Sequence, residues 1–125
     1  MKAIKVQEQG KAALVDTSIP KLRDDYILVK VHAVGLNPTD FKHIDYLPQK
    51  DATVGCDYAG EVVEVGKAVT KKFSKGDRVA GFVHGVSSKS TEDGGFSEYV
   101  FKLNVPKQQL TKPHIGTLLP RVTSR

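Results

Sequence analysis

Tryptophan is absent from these 125 residues, cysteine and methionine occur once each, and apolar runs such as Ala12-Ala13-Leu14-Val15 are only a few residues long. Each scarcity excludes something. A single cysteine, Cys56, allows no intramolecular disulfide and supplies too few thiolates for a structural zinc cluster. Runs this short give no bilayer-spanning helix. The opening residues, Met1-Lys2-Ala3-Ile4-Lys5-Val6-Gln7-Glu8, lack the apolar core of a signal peptide, so the expectation is a soluble, cytoplasmic protein with no membrane partner. Neither Gly-x-Gly-x-x-Gly nor Gly-x-x-x-x-Gly-Lys-Ser/Thr occurs, which removes the usual phosphate-cradling turn at a helix N-terminus. The length allows about one domain.

Of the residues present, 39% are hydrophobic and 26% charged, enough apolar material for a real core. The net charge is +5, from 19 Lys+Arg against 14 Asp+Glu. Most of that excess sits at the end: Lys107, Lys112, Arg121 and Arg125 leave 15 basic against 14 acidic residues in 1–106. A near-neutral body gives little reason to expect nucleic acid as a partner. The Lys67, Lys71, Lys72, Lys75 and Arg78 cluster has only Phe73 interleaved and reads as a solvated loop.

The dominant period is two. Lys2 to Val6 and Ala12 to Val15 flank Gly10 as an opening hairpin. Tyr26 to Val34 reads as the clearest strand, with Ile27, Val29, Val31 and Ala33 on one face and Lys30 and His32 on the other. Gly35-Leu36-Asn37-Pro38-Thr39-Asp40 follows with turn chemistry, Thr39 or Asp40 capping one or two helical turns through Ile44. Further strands are expected in 54–65, 73–82 and 96–101, and a surface loop at 87–93. Short strands parted by Gly-, Pro- and Asp-bearing turns indicate a mainly β fold, a barrel or sandwich. Two prolines, no acidic residue and no periodicity make 107–125 a loosely ordered basic tail.

Among the polar residues, Cys56, His43 and Asp57 lack the Cys-x-x-Cys or His-x-x-x-His spacing of a metal site, and Cys56 beside glycine reads as a small buried hydrophobe. His32 and His84 read as surface or hydrogen-bonded structural residues. Asn37 and Asp40 suit an Asx-type turn stiffened by Pro38, with Lys42 solvated.

Four segments occur in a telling order: Gly35-Leu36-Asn37-Pro38-Thr39-Asp40-Phe41-Lys42, the run from Val54-Gly55-Cys56-Asp57 to Gly66, Gly76-Asp77-Arg78-Val79, and Gly94-Gly95-Phe96-Ser97-Glu98-Tyr99. Together they resemble the N-terminal, chaperonin-10-like β-domain of the medium-chain dehydrogenase/reductase superfamily, over about residues 1–106. Asn-Pro-Thr-Asp-Phe-Lys-His and Gly-Phe-Val-His-Gly are most similar to its zinc-independent quinone reductase and trans-enoyl reductase branch. The departures point the same way. Asn37 stands where zinc alcohol dehydrogenases carry a cysteine ligand, Gly55-Cys56-Asp57 replaces Gly-His-Glu, and the four-cysteine lobe is missing.

The resemblance implies a small chaperonin-10-like β-barrel with one or two helical turns, and hydride transfer from NADPH, without zinc, to an α,β-unsaturated carbonyl of an enoyl or quinone substrate. It implies a cofactor-facing loop of Asn37, Thr39, Asp40, Phe41 and Lys42, with Lys42 as the catalytic candidate whose ammonium meets a phosphate, a ribose hydroxyl or a developing enolate oxygen. Phe41 stands where tryptophan is common in the branch. A polyketide synthase is the partner it suggests. Relatives continue into a nucleotide-binding domain, so the chain is expected to be a truncated form, inactive alone. The alternative is a non-catalytic β-barrel module that docks on a reductase or synthase.

Overall fold

A computed structural model describes residues 1–19 and 21–103. The order is β1 (Lys2–Glu8), β2 (Lys11–Asp16), β3 (Tyr26–Gly35), α1 (Pro38–Tyr46), β4 (Asp57–Val65), β5 (Arg78–Phe82) and β6 (Tyr99–Leu103). The fold is mainly β, as the period-two pattern predicts. The boundary near 106 and the tail at 107–125 lie outside the described residues. Among those residues no helix is long and apolar enough to cross a membrane.

β1 and β2 pair antiparallel around Gly10, whose φ of +74° suits glycine. The other four strands form a sheet in the order β5-β4-β3-β6, antiparallel at each pair. Backbone bonds join the two sheets through β1. Ile4 N–H donates to Phe96 C=O and accepts, through its own carbonyl, from Val54 N–H; Val6 N–H donates to Ala52 C=O. Glu98 continues the stitching, its N–H donating to Lys2 C=O while its carbonyl accepts from Val31 N–H of β3.

Two apolar clusters result. Ile27, Val29, Tyr58, Val62, Val79, Val83 and Val100 pack within the large sheet. Val6, Ala52, Val54 and Val86 pack beneath the hairpin, with Ile4, Ile44 and Phe96 against them. Ile44 is thus the side chain that seats α1. β-Branched residues supply most of both clusters, since their stiff side chains suit a pleated surface, and each buried Val or Ile contributes about 1.5–3 kcal/mol.

Three details depart from simple alternation. Leu28 is buried beside Ile27 and Val29, because β3 is the central strand and its register shifts between Leu28 and Val29 and again between Val31 and Ala33. The last strand begins at Tyr99, while Ser97 makes an isolated bridge to Ala3. The one helix among the described residues runs for nine residues and is capped by Asn37 rather than by Thr39 or Asp40.

The outer strands of the four-stranded sheet are brought within one side chain of each other. Lys102 of β6 is buried at 7% exposure, donates to the Phe82 carbonyl at the end of β5, and lies 4.8 Å from the Phe82 ring centroid. A charged donor and a cation–π contact hold the sheet in its curl. Burial pushes the Lys102 ammonium below its ordinary value, with the Asp93 carboxylate opposing. Above the lowered value the folded chain binds fewer protons than the unfolded chain, so stability rises with pH towards 10.5. Relative to Lys102→Met, the wild type is expected to gain stability between pH 7 and 10 in urea unfolding. A difference that stays constant across that range contradicts this account of Lys102.

Candidate functional site

The candidate face lies where the end of β3, the start of α1, the start of β4 and the exit of β5 meet. Glycine makes the meeting possible. Gly55 has φ +97° and lies under the Phe96 ring, while a Cβ on Gly85 would stand 2.4 Å from the Gly55 carbonyl oxygen. The two backbones touch directly, a close approach that only glycine permits. Val83 N–H donates to Cys56 C=O, Gly95 N–H to Gly55 C=O and Val86 N–H to Thr53 C=O. Val86 takes a φ of 53°, a costly conformation for a β-branched residue. Its burial in the hairpin cluster holds it there.

Residues 37–42 form the turn into α1. Pro38 occupies the first helical position, where its missing N–H costs nothing. Asp40 accepts from the Asn37 backbone N–H at 2.7 Å, the reciprocal half of a capping box. The Asn37 side-chain amide donates to Asp57 Oδ2 at 2.8 Å, latching the helix start to β4. Asp40 is 6% exposed, and its Oδ1 is buried without a hydrogen-bond partner.

Among the candidate residues, Asn37 and Asp40 therefore work in the turn itself, and Thr39 is half-buried beside them. Phe41 and Lys42 are exposed, the Phe41 ring at 54%. Among the described residues the Lys42 ammonium makes no hydrogen bond or ion pair, so it is free to meet an incoming group.

Sequence reasoning missed two members of this face. Cys56 is half-buried rather than a sealed core residue. Burial pushes its thiol up; the Gly85 N–H opposes, and the carboxylates of Asp40 and then Asp57 push it further up. His43, one turn after Asp40 on α1, stacks on His84 with ring centroids 5.7 Å apart and 15° between planes. That contact ties α1 to the exit of β5. Gly-Cys-Asp standing where zinc enzymes carry Gly-His-Glu was the available signal for Cys56. Nothing in the sequence marks the histidine pair, whose members lie 41 positions apart. Among the described residues no three His, Cys, Asp or Glu side chains converge as a metal site would require.

Residues 23–114 match the family described as the alcohol dehydrogenase GroES-like domain. The chain belongs to that family. It is 54% identical over 101 residues to the trans-enoyl reductase resD of Aspergillus sclerotiorum, a match spanning 80% of this chain and 28% of that relative. The quinone oxidoreductase of Coxiella burnetii superposes with a TM-score of 0.68 at 30% identity, over 90% of this chain and 36% of that one. The Escherichia coli quinone oxidoreductase in complex with NADPH gives 0.67 at 22% identity, over 82% and 31%, a likeness of fold. The chain thus spans about a third or less of these relatives, which are oxidoreductases by description.

The charge at this face disfavours phosphate. A pyrophosphate needs open backbone N–H groups or cations, whereas Asp40 already occupies the start of α1 and Asp57 stands exposed beside it. Two carboxylates repel phosphate.

Gly85→Ala tests the geometry of the whole face. The added methyl group is expected to cost about 1–3 kcal/mol in urea unfolding and to shift the His43 imidazole resonances as the ring pair separates. Unchanged stability and unchanged histidine resonances would show that the Gly55–Gly85 contact does not position the site.

Proposed function

We propose that this domain forms the substrate- and nicotinamide-facing half of an NADPH-dependent, zinc-independent reductase of α,β-unsaturated carbonyls, of the enoyl or quinone reductase type. The observation that carries the reading is the latched turn: Asn37 bound to Asp57, Asp40 bound to Asn37, and an unengaged Lys42 one residue beyond the exposed Phe41. Its support from kinship is the 54% identity to a trans-enoyl reductase.

In this reading NADPH supplies the hydride when bound. The chain's own residues do the rest. Asn37, Thr39 and Phe41 receive the nicotinamide–ribose end, the Asn37–Asp57 latch fixes the distance between turn and β4, and Asp40 keeps the helix start from fraying. Lys42 places its ammonium where the carbonyl oxygen gains negative charge, the kind of electrostatic stabilisation that acts in the transition state. The cofactor carries the difficult chemistry while the protein orients it and excludes water. The domain is taken to run over 1–106, the compartment to be the cytoplasm, the substrate to be a small enoyl or quinone compound, and the partner to be a polyketide synthase.

A second reading, a docking module without chemistry, draws on the exposed Leu36, Tyr46 and Leu47 around α1, at 83%, 74% and 67% exposure. The two readings separate by experiment.

Replacing the corresponding domain of the resD relative with residues 1–103 should give a hybrid that oxidises NADPH in the presence of an enoyl thioester. Lys42→Ala in that hybrid should lower kcat at least tenfold with little change in NADPH affinity. A hybrid that binds NADPH but transfers no hydride would remove the reductase reading. For the 125-residue chain by itself, which contains no glycine-rich pyrophosphate turn, titration calorimetry should show no saturable NADPH binding. A micromolar Kd would show that the turn and β4 suffice to hold the cofactor.

A further inference from the structure

We propose that the outer edge of β2 is a docking edge for a second copy of this chain, which pairs with it antiparallel and joins the two opening hairpins into one four-stranded sheet. No residue of this edge takes part in the reductase reading.

The hydrogen-bond phase of the hairpin decides which groups face outward. Thr17 N–H donates to Met1 C=O, while on the other side of β1 Ile4 N–H and Val6 N–H donate to Phe96 C=O and Ala52 C=O. Even-numbered residues of β1 therefore bond away from β2 and odd-numbered ones towards it. With Ala3 opposite Val15 and Lys5 opposite Ala13, the residues of β2 that bond inward are Ala13 and Val15. Ala12, Leu14 and Asp16 keep their N–H and C=O groups directed outward, and no other strand of the described residues pairs with β2. Such an edge is usually blunted by proline, a bulge or an inward charge. Ala12-Ala13-Leu14-Val15 has no proline and no charge, and the charges of β2 stand only at its ends, as Lys11 and Asp16. Leu14 is 66% exposed although it lies opposite Ile4, which packs against the hairpin cluster.

The strand's own sequence selects a second copy as the occupant. A two-fold axis normal to the sheet keeps like faces together, so outward-bonding residues pair even with even. The register that engages all three sets Leu14 against the partner's Leu14, and Ala12 against the partner's Asp16. Ala13 then meets the partner's Val15 on the opposite face. The centre of the interface is apolar. Charge fixes the direction, because antiparallel pairing brings the Lys11 end of each strand to the Asp16 end of the other, whereas a parallel partner would set like charges side by side. Lys2 and Glu8 engage Asp16 and Lys11 from the β1 side, which leaves the backbone edge open.

Sedimentation equilibrium of the 125-residue chain tests for the dimer. One strand pair buries less than a standard interface, so association is expected at about 0.1–1 mM rather than at micromolar concentration. Leu14→Lys should keep the chain monomeric over that range with an unchanged unfolding midpoint. Register is read by oxidation in a glutathione buffer. Leu14→Cys in a Cys56→Ala chain places two thiols on a bonded antiparallel pair, about 5.5 Å apart between Cα atoms and within disulfide range, and should give a linked dimer. Lys11→Cys in the same background lies six residues along the strand from its counterpart, roughly 20 Å, and should not link. In the unaltered chain, amide exchange at Ala12, Leu14 and Asp16 should slow at least fivefold between dilute and concentrated solution, a readout that needs no variant to fold. A chain that stays monomeric to the top of the range, a dimer indifferent to Leu14→Lys, equal linking by the two cysteine variants, or slowed exchange confined to α1 would each overturn the proposal.

Discussion

The direct contact of the Gly55 and Gly85 backbones is the constraint on which this face depends. One glycine belongs to the approach to β4 and the other to the exit of β5, and a methyl group on Gly85 would collide with a carbonyl oxygen 2.4 Å away. Where the chains meet, Val83 N–H bonds to Cys56 C=O, His43 of α1 stacks on His84, and Val86 takes an unfavourable backbone conformation within the hairpin cluster. Strain of about 1–3 kcal/mol at such a position persists only where surrounding packing determines it. Here two hydrophobic clusters and a continuous run of backbone hydrogen bonds do so.

The polar groups of the site follow from that frame. Asp40 would ordinarily be an exposed capping residue, yet it is buried, and only one of its carboxylate oxygens is matched, by the Asn37 N–H. The Asn37 amide donates to Asp57. That bond connects the start of α1 to β4 while the capping box stays in place. The negative charge so collected disfavours phosphate and keeps the adjacent thiol protonated. A face built this way suits an uncharged, polarisable ligand.

Much of the frame is legible in the sequence because it rests on local chemistry. The opening hairpin follows from Gly10 between two β-prone runs, β3 from its alternation, and the helix start from Asn-Pro-Thr-Asp. The order of four glycine-bearing segments carries the family. What the sequence hides is set by distant partners. Leu28 breaks the alternation because neighbours on both sides of β3 cover it. Lys102, one residue beyond the strand expected at 96–101, is buried against Phe82, where β5 and β6 come together. Cys56 reads as core, and its partial exposure and its carboxylate neighbour depend on the path of α1. No periodicity encodes a stack between His43 and His84.

The latched turn and the start of β4 are proposed to receive together a nicotinamide–ribose end and an unsaturated carbonyl. Nuclear magnetic resonance of the isotopically labelled chain, titrated to millimolar concentrations with the phosphate-free dihydronicotinamide riboside and an enoyl thioester, detects contacts too weak to saturate in calorimetry. The account predicts shift changes concentrated at Asn37, Thr39, Asp40, Phe41, Lys42, Cys56 and His84. Changes confined to the hairpin or to the 67–78 loop, with those seven residues undisturbed, would contradict it.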